Sequence, residues 1–146
     1  MKAIVLTVLL TTLGCAYKPG RLAAEGAQYR PGEVENFSSL PGASTAIGRS
    51  LDERLRIRSG DGSETIVSVR VLRADDRITG AEGMQRELSL DLEVKIGGET
   101  VRVRGRKRYA GASKAPPNEL LRKDAMRGLA SRLIDQALLG QLPVGD

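Results

Sequence analysis

The residues able to carry chemistry are few, and they lie far apart along the chain. There is one cysteine, Cys15, and no histidine. Zinc or iron centres built on those side chains are therefore excluded, as are Ser-His and Cys-His nucleophile pairs. A cation site built only from carboxylates would need the spacing of a calcium loop, and no such spacing occurs. Gly60-Asp61-Gly62 and Gly97-Gly98 read as turns, not as a loop that cradles phosphate. Asp75 and Asp76 are adjacent acids in a polar stretch that reads as a loop to Gly83, solvated and without a partner base. Ser39 and Ser44 read as capping or first-turn residues of a helix, and Tyr109 as a packing or edge residue at the end of a strand. The expectation is a binding protein rather than an enzyme, with no metal and no cofactor. Two features remain to be explained: the lone cysteine and a row of arginines.

Cys15 ends a short apolar stretch. Met1 and Lys2 precede an apolar run from Ala3 to Leu13, too short for a bilayer span of about 20 residues. One charge followed by such a run matches the start of a secretory signal. The sequence Thr12-Leu13-Gly14-Cys15 resembles a bacterial lipobox, in which the cysteine becomes the lipidated first residue of the mature protein. Two or more acyl chains there would hold a protein stably at a membrane, each buried CH₂ contributing about 0.8 kcal/mol. Ala16 follows the cysteine where inner-membrane lipoproteins carry Asp, which favours the outer membrane and a periplasm-facing domain. The expected organisation is a signal peptide over residues 1–14, a lipidated cysteine and tether over 15–27, and one folded domain over 28–146. The other readings of this stretch are an unpaired thiol in a secreted protein and a buried strand in a cytosolic one.

The arginines Arg102, Arg104, Arg106 and Arg108 alternate along "ETVRVRGRKRYA" and so share one face of a strand. The preceding stretch alternates most clearly of all, with Leu88, Leu90, Leu92, Val94 and Ile96 set against Ser89, Asp91, Glu93 and Lys95. Between the two, Gly97-Gly98 offers two residues that accept positive φ, as a type I′ hairpin turn requires. A two-residue turn makes Ile96 face Glu99, and the register then places Glu93 opposite Arg102, Asp91 opposite Arg104 and Glu87 opposite Arg108. Only Arg106, opposite Ser89, lacks a carboxylate, with Arg70 expected on the neighbouring strand. The row therefore has two readings. One is a set of cross-strand ion pairs; the other is an anionic-ligand site at Arg70 and Arg106. Nucleic acid is a poor candidate for that ligand, because aromatic residues make up only 3% of the chain and stacking platforms are nearly absent.

These residues must be positioned by the elements around them. Residues 28–37 give a weak strand pattern that Pro31-Gly32 interrupts, as suits an edge. Ser38 or Ser39 is placed to cap a helix with Pro41 in its first turn, and Ala43, Ile47, Leu51 and Leu55 form its apolar face. Val67, Val69 and Val71 alternate with Ser68 and Arg70. A final amphipathic helix runs from Asn118 to Leu139, with Leu121, Ala125, Leu129, Leu133 and Ala137 in one stripe and Gly140 ending it. The order β-α-β-β-β-α, with one apolar face per element, implies an α+β two-layer sandwich. Two helices pack on one face of a four-stranded mixed sheet; the other face is polar and open to a partner.

Cys15-Ala16-Tyr17, the unit "GEVENFSSLPGASTAIGRSLDERLR", the three strands ending at Arg108-Tyr109 and the helix "NELLRKDAMRGLASRLIDQALL" together resemble the lipopolysaccharide-assembly lipoprotein family LptE. The resemblance covers nearly all of the expected mature chain and rests on layout. It implies a lipid-anchored plug seated in the outer-membrane β-barrel LptD, with basic residues near lipopolysaccharide; Arg70 and Arg106 come from the strand register and not from the family. The rival is a periplasmic regulatory lipoprotein that binds and activates a cell-wall synthase. Residues 16–27 span about 40 Å at most, at ~3.3–3.6 Å per residue, which favours a partner at the membrane itself.

Overall fold

In a computed structural model, residues 27–80, 85–111 and 119–140 are described. Cys15, the tether before Ala27 and the stretch from Ser113 to Pro117 lie outside them. Six elements follow in the expected order: β1 (Gln28–Asn36), α1 (Ala43–Arg58), β2 (Glu64–Ile78), β3 (Gln85–Ile96), β4 (Glu99–Ala110) and α2 (Glu119–Leu138). The strands form one sheet in sequence order, with β1 parallel to β2 and the other neighbours antiparallel. The β1–α1–β2 unit makes the single parallel pairing. The two hairpins follow from strands too close in sequence for a helical crossover.

Alternation decides which face is covered. Val67, Val69 and Val71 of β2, Leu88 to Val94 at every second position of β3, and Val103 of β4 are all buried. Against them lie Ile47, Leu51 and Leu55 of α1 and Met126, Leu129, Leu133 and Ile134 of α2. α1 packs over β1, α2 over β3 and β4, and the helices pack on each other. The fold class is the expected α+β sandwich. The helices run side by side in the same direction. Ser50 donates across to the Arg127 carbonyl at 3.1 Å, Arg127 pairs with Glu53 at 2.6 Å, and Arg58 pairs with Asp135 about two turns further on at 3.1 Å.

Four local expectations need correction. First, no serine caps α1. Its N-cap is Gly42 in the left-handed region (φ 76°), while Ser38 donates through both its N–H and its hydroxyl to Asn36 Oδ1, closing a turn ahead of the helix. Second, the hairpin turn places only Gly97 at positive φ (59°), the pattern of a type II′ turn, and the register is unchanged. Third, Leu121 is 40% exposed and no residue of α2 before Ala125 is buried, so the stripe begins one turn later than its spacing suggests. Fourth, the polar stretch from Asp75 is not a loop: β2 continues to Ile78. One extra residue between Val71 and Arg73 shifts the phase of the strand, so that Ala74 and Asp76 face inward after Val71. That bulge hides the alternation from a simple reading.

Gly105 sets the distance between β4 and α2. A Cβ there would lie 3.0 Å from Leu129 Cδ1 and 3.0 Å from Leu133 Cδ2. Gly105→Val therefore pushes the helix off the sheet, with an expected destabilisation of about 1–3 kcal/mol. Chemical denaturation should show a lower midpoint with an unchanged slope, and a wild-type midpoint would refute the close approach.

Candidate functional site

Among the described residues both helices pack on one face of the sheet and leave the other bare. Its residues are those out of phase with the core: Ser68, Arg70 and, past the bulge, Arg73, Asp75 and Arg77 on β2, Glu87 to Glu93 at alternate positions on β3, and Arg102 to Arg108 on β4. The register is the expected one throughout the β3–β4 hairpin: Glu93 faces Arg102, Asp91 faces Arg104, Ser89 faces Arg106 and Glu87 faces Arg108.

Facing across strands and bonding across them turn out to differ. Asp91 holds two arginines, accepting from Arg102 at 2.8 and 2.6 Å and pairing with Arg104 at 3.0 Å. The hydrogen bond from Arg102, with the positive charges beside it, keeps the Asp91 carboxyl below the usual carboxylate range despite partial burial. Glu93 is not the partner of Arg102; it accepts from Arg70 at 3.1 Å, and Glu35 on β1 takes the other side of Arg70 at 2.7 Å. Long side chains reach diagonal neighbours on a pleated sheet, and Arg102 uses that reach. Arg70 also lies over the Phe37 ring, 5.6 Å from its centre. Arg108 pairs with Glu87 at 3.6 Å.

Arg106 alone in its row makes no ion pair among the described residues; only its backbone carbonyl is engaged, accepting from Arg132 at 3.1 Å. Arg70 does not stand beside it. Arg70 faces Glu93 and Arg106 faces Ser89, so β3 separates them and they are offset four residues along that strand. The two arginines are on the same face but do not form one site. What the face offers is a ladder of solvent-exposed ion pairs, each weak and exchangeable, with one unpaired guanidinium in the outermost strand.

A second constellation was missed. Asp76, Arg86 and Tyr109 meet on the inner face of the sheet, where β2 ends and β3 begins. Arg86 Nε donates to both Asp76 carboxylate oxygens at 3.1 and 3.2 Å, and the Tyr109 hydroxyl donates to Asp76 Oδ2 at 2.8 Å. The Asp76 side chain is 4% exposed. Burial, helped by the hydrogen bond to Asp76, pushes the Tyr109 hydroxyl up to about 12. Every member has a partner, so the trio reads as structural. Among the described residues no three Cys, Asp or Glu side chains converge as a metal site would require.

The Tyr109 shift has a sign that can be checked. An unfolded tyrosine loses its proton near 10, whereas the folded one keeps it to about 12. The folded state therefore binds more protons in that window. The stability contributed is complete below about pH 10 and is lost as pH rises towards 12. An alkaline titration followed by phenolate absorbance should show a tyrosine ionising at about 12 that is absent in Tyr109→Phe, while Tyr29, which burial also pushes up, stays late in both proteins. Ionisation of all tyrosines near 10 in folded protein would contradict the buried hydrogen bond.

Neither a family model nor a curated protein sequence matches the chain. Solved structures do match in shape. A putative lipoprotein from Caulobacter crescentus CB15 superposes with a TM-score of 0.51 at 14% identity, covering 73% of this chain and 87% of that one. Protein XCC0632 from Xanthomonas campestris, described under the family model DUF330, superposes with a TM-score of 0.51 at 10% identity, covering 80% and 87%. The likeness is one of fold. At these identities no residue role carries over.

Proposed function

We propose that this chain is a lipid-anchored lipoprotein of the bacterial outer membrane that acts by binding, seating the bare face of its sheet against an outer-membrane β-barrel of the LptD kind. The observation that carries the reading is the bare face itself. Both helices lie on one side, and the other side presents exposed arginines, all but Arg106 held at the surface by partly buried carboxylates. A partner that supplies carboxylates, or a phosphate-bearing glycolipid such as lipopolysaccharide, can replace those partners without disturbing the core. Arg106, without an ion pair among the described residues, is the first contact to form. Arg70 would follow by exchanging Glu35 and Glu93.

Support for the anchor comes from the lipobox resemblance at Cys15 and from the description of the Caulobacter neighbour as a putative lipoprotein. The narrower reading, an LptE-like plug of the lipopolysaccharide translocon, rests on the sequence resemblance alone. No bond is made or broken in this function. The core holds the sheet rigid, and the tether keeps it near the membrane.

A photo-crosslinking residue at position 106, compared with one at exposed Arg56 on α1, tests the reading in envelope membranes. A β-barrel adduct from position 106 alone is the expected result. Adducts from the helical side only, or capture of a peptidoglycan synthase, would overturn it. Mass spectrometry of the N-terminal peptide should find diacylglyceryl-modified Cys15.

A further inference from the structure

The parallel helices bring their N-terminal ends to the same end of the molecule, and a cleft of about 280 Å³ opens between them. That volume is near the lower end of small-molecule sites, which span ~300–1,000 Å³. It suits a headgroup rather than a whole lipid. Four cations line it: Arg49 from α1, and Arg122, Lys123 and Arg127 from α2. Two carboxylates, Glu119 and Asp124, line it too, and Pro41, Ala46 and Leu120 give it an apolar wall. Glu119 is taken by Lys123 at 2.8 Å, an ion pair that lowers its carboxyl below the usual range. Glu53, just outside, holds the Arg127 terminus. Arg49 and Arg122 make no direct ion pair or hydrogen bond with any residue described here, although Arg122 is near enough to Glu119 to help lower its carboxyl. The Arg127 Nε is buried and has no acceptor.

The helix start at this cleft makes the surplus of positive charge harder to explain as ordinary surface. Helix N-termini are stabilised by side-chain caps and first-turn acids. α1 has neither: Gly42 provides no side-chain cap, and no acid lies in the first turn. Arg49 lies on the second turn of α1 and Arg122 in the first turn of α2, which alone carries a first-turn acid, Glu119, so the cleft gathers positive charge at this end. A bound anion answers this arrangement, accepting from two arginines that have no direct ion pair among the described residues and offsetting the uncapped start of α1.

We infer that this inter-helix cleft binds a phosphoryl group, with Arg49 and Arg122 as its principal ligands and Lys123 and Arg127 flanking. The site is separate from the sheet face and stands whether or not that face docks a barrel. The phosphoryl group could be presented by a soluble monoester or by a phospholipid whose glycerol end lies on the Pro41–Ala46–Leu120 wall.

Calorimetric titration of the full chain in detergent with inorganic phosphate, glycerol 3-phosphate and dihexanoyl phosphatidic acid tests the inference. Saturable binding that weakens at least tenfold in the Arg49→Gln/Arg122→Gln double variant is expected. Neither side chain is buried, so the melting temperature of that variant should match the wild type. Thr45→Trp, which fills the cleft without changing charge, should also abolish binding, while Arg106→Gln should leave it intact. Phosphatidic acid binding at least tenfold tighter than glycerol 3-phosphate assigns the lipid as the source; equal affinities assign the soluble ester. No saturable binding of any probe, or unchanged affinity in the double variant, overturns the inference.

Discussion

Leu92→Asp is expected to abolish folding at 25 °C. Leu92 is fully buried on β3, paired with Val71 on one side and Val103 on the other. Removing a buried leucine costs about 2–5 kcal/mol through lost transfer energy and the cavity left behind. A carboxylate there adds the penalty of burying an unpaired charge, several kcal/mol more. The nearest inward-facing arginine, Arg86, is already committed to Asp76. Small domains have only ~5–15 kcal/mol in total, so the two losses together exceed what a domain of this size can absorb. Far-ultraviolet circular dichroism should show no cooperative thermal transition. Ser89→Asp puts the same charge on the same strand, pointing the other way, and is expected to melt within about 3 °C of the wild type, as surface changes usually cost under ~0.5 kcal/mol. Ser89→Asp proving the more damaging of the two would mean that the faces of the sheet are assigned the wrong way round.

The same alternation explains what could be read from the sequence and what could not. The pairing of β3 with β4 was legible to the residue, because a period of two over long runs leaves no second register once Gly97-Gly98 fixes the turn. The arginine row and the exception at Arg106 followed from that count. Where the period broke, reading failed. The extra residue in β2 after Val71 shifted Asp76 from an apparent loop into the inner face. The phase of β3 had already placed Arg86 inward, two residues before Leu88, and the phase of β4 had placed Tyr109 inward beyond Val103. An arginine and a tyrosine on the core side of two strands were a signal that some carboxylate must meet them. Side-chain reach was the other failure. Register says which residues face each other, but the choice of Asp91 over Glu93 by Arg102 depends on diagonal geometry that spacing does not encode. The cleft between the helix starts was invisible for a related reason. Nothing in the periodicity of either helix shows that they run parallel, with Arg49 and Arg122 at the same end.

Breaking the Asp76–Arg86–Tyr109 trio should be the most damaging polar change in the molecule. Asp76→Ala leaves the largely buried Arg86 guanidinium and the Tyr109 hydroxyl without their acceptor. Removing one partner of a fully buried ion pair costs about 3–5 kcal/mol. Arg86 keeps 15% of its side chain exposed, so water recovers part of that, and about 2–4 kcal/mol is expected for Asp76→Ala. Tyr109→Phe removes a single donor and should cost about 1 kcal/mol. The double variant Asp76→Leu/Arg86→Met replaces charges with apolar groups of similar reach, and such exchanges are often neutral. It should therefore be more stable than Asp76→Ala, despite changing more atoms. That order distinguishes a desolvated pair from a solvated surface one, whose loss would be small in every variant. Urea denaturation of the three proteins supplies the comparison. If the double variant proves the least stable, the trio contributes net attraction beyond its own desolvation, and the end of the sheet is held by that ion pair rather than merely tolerating it.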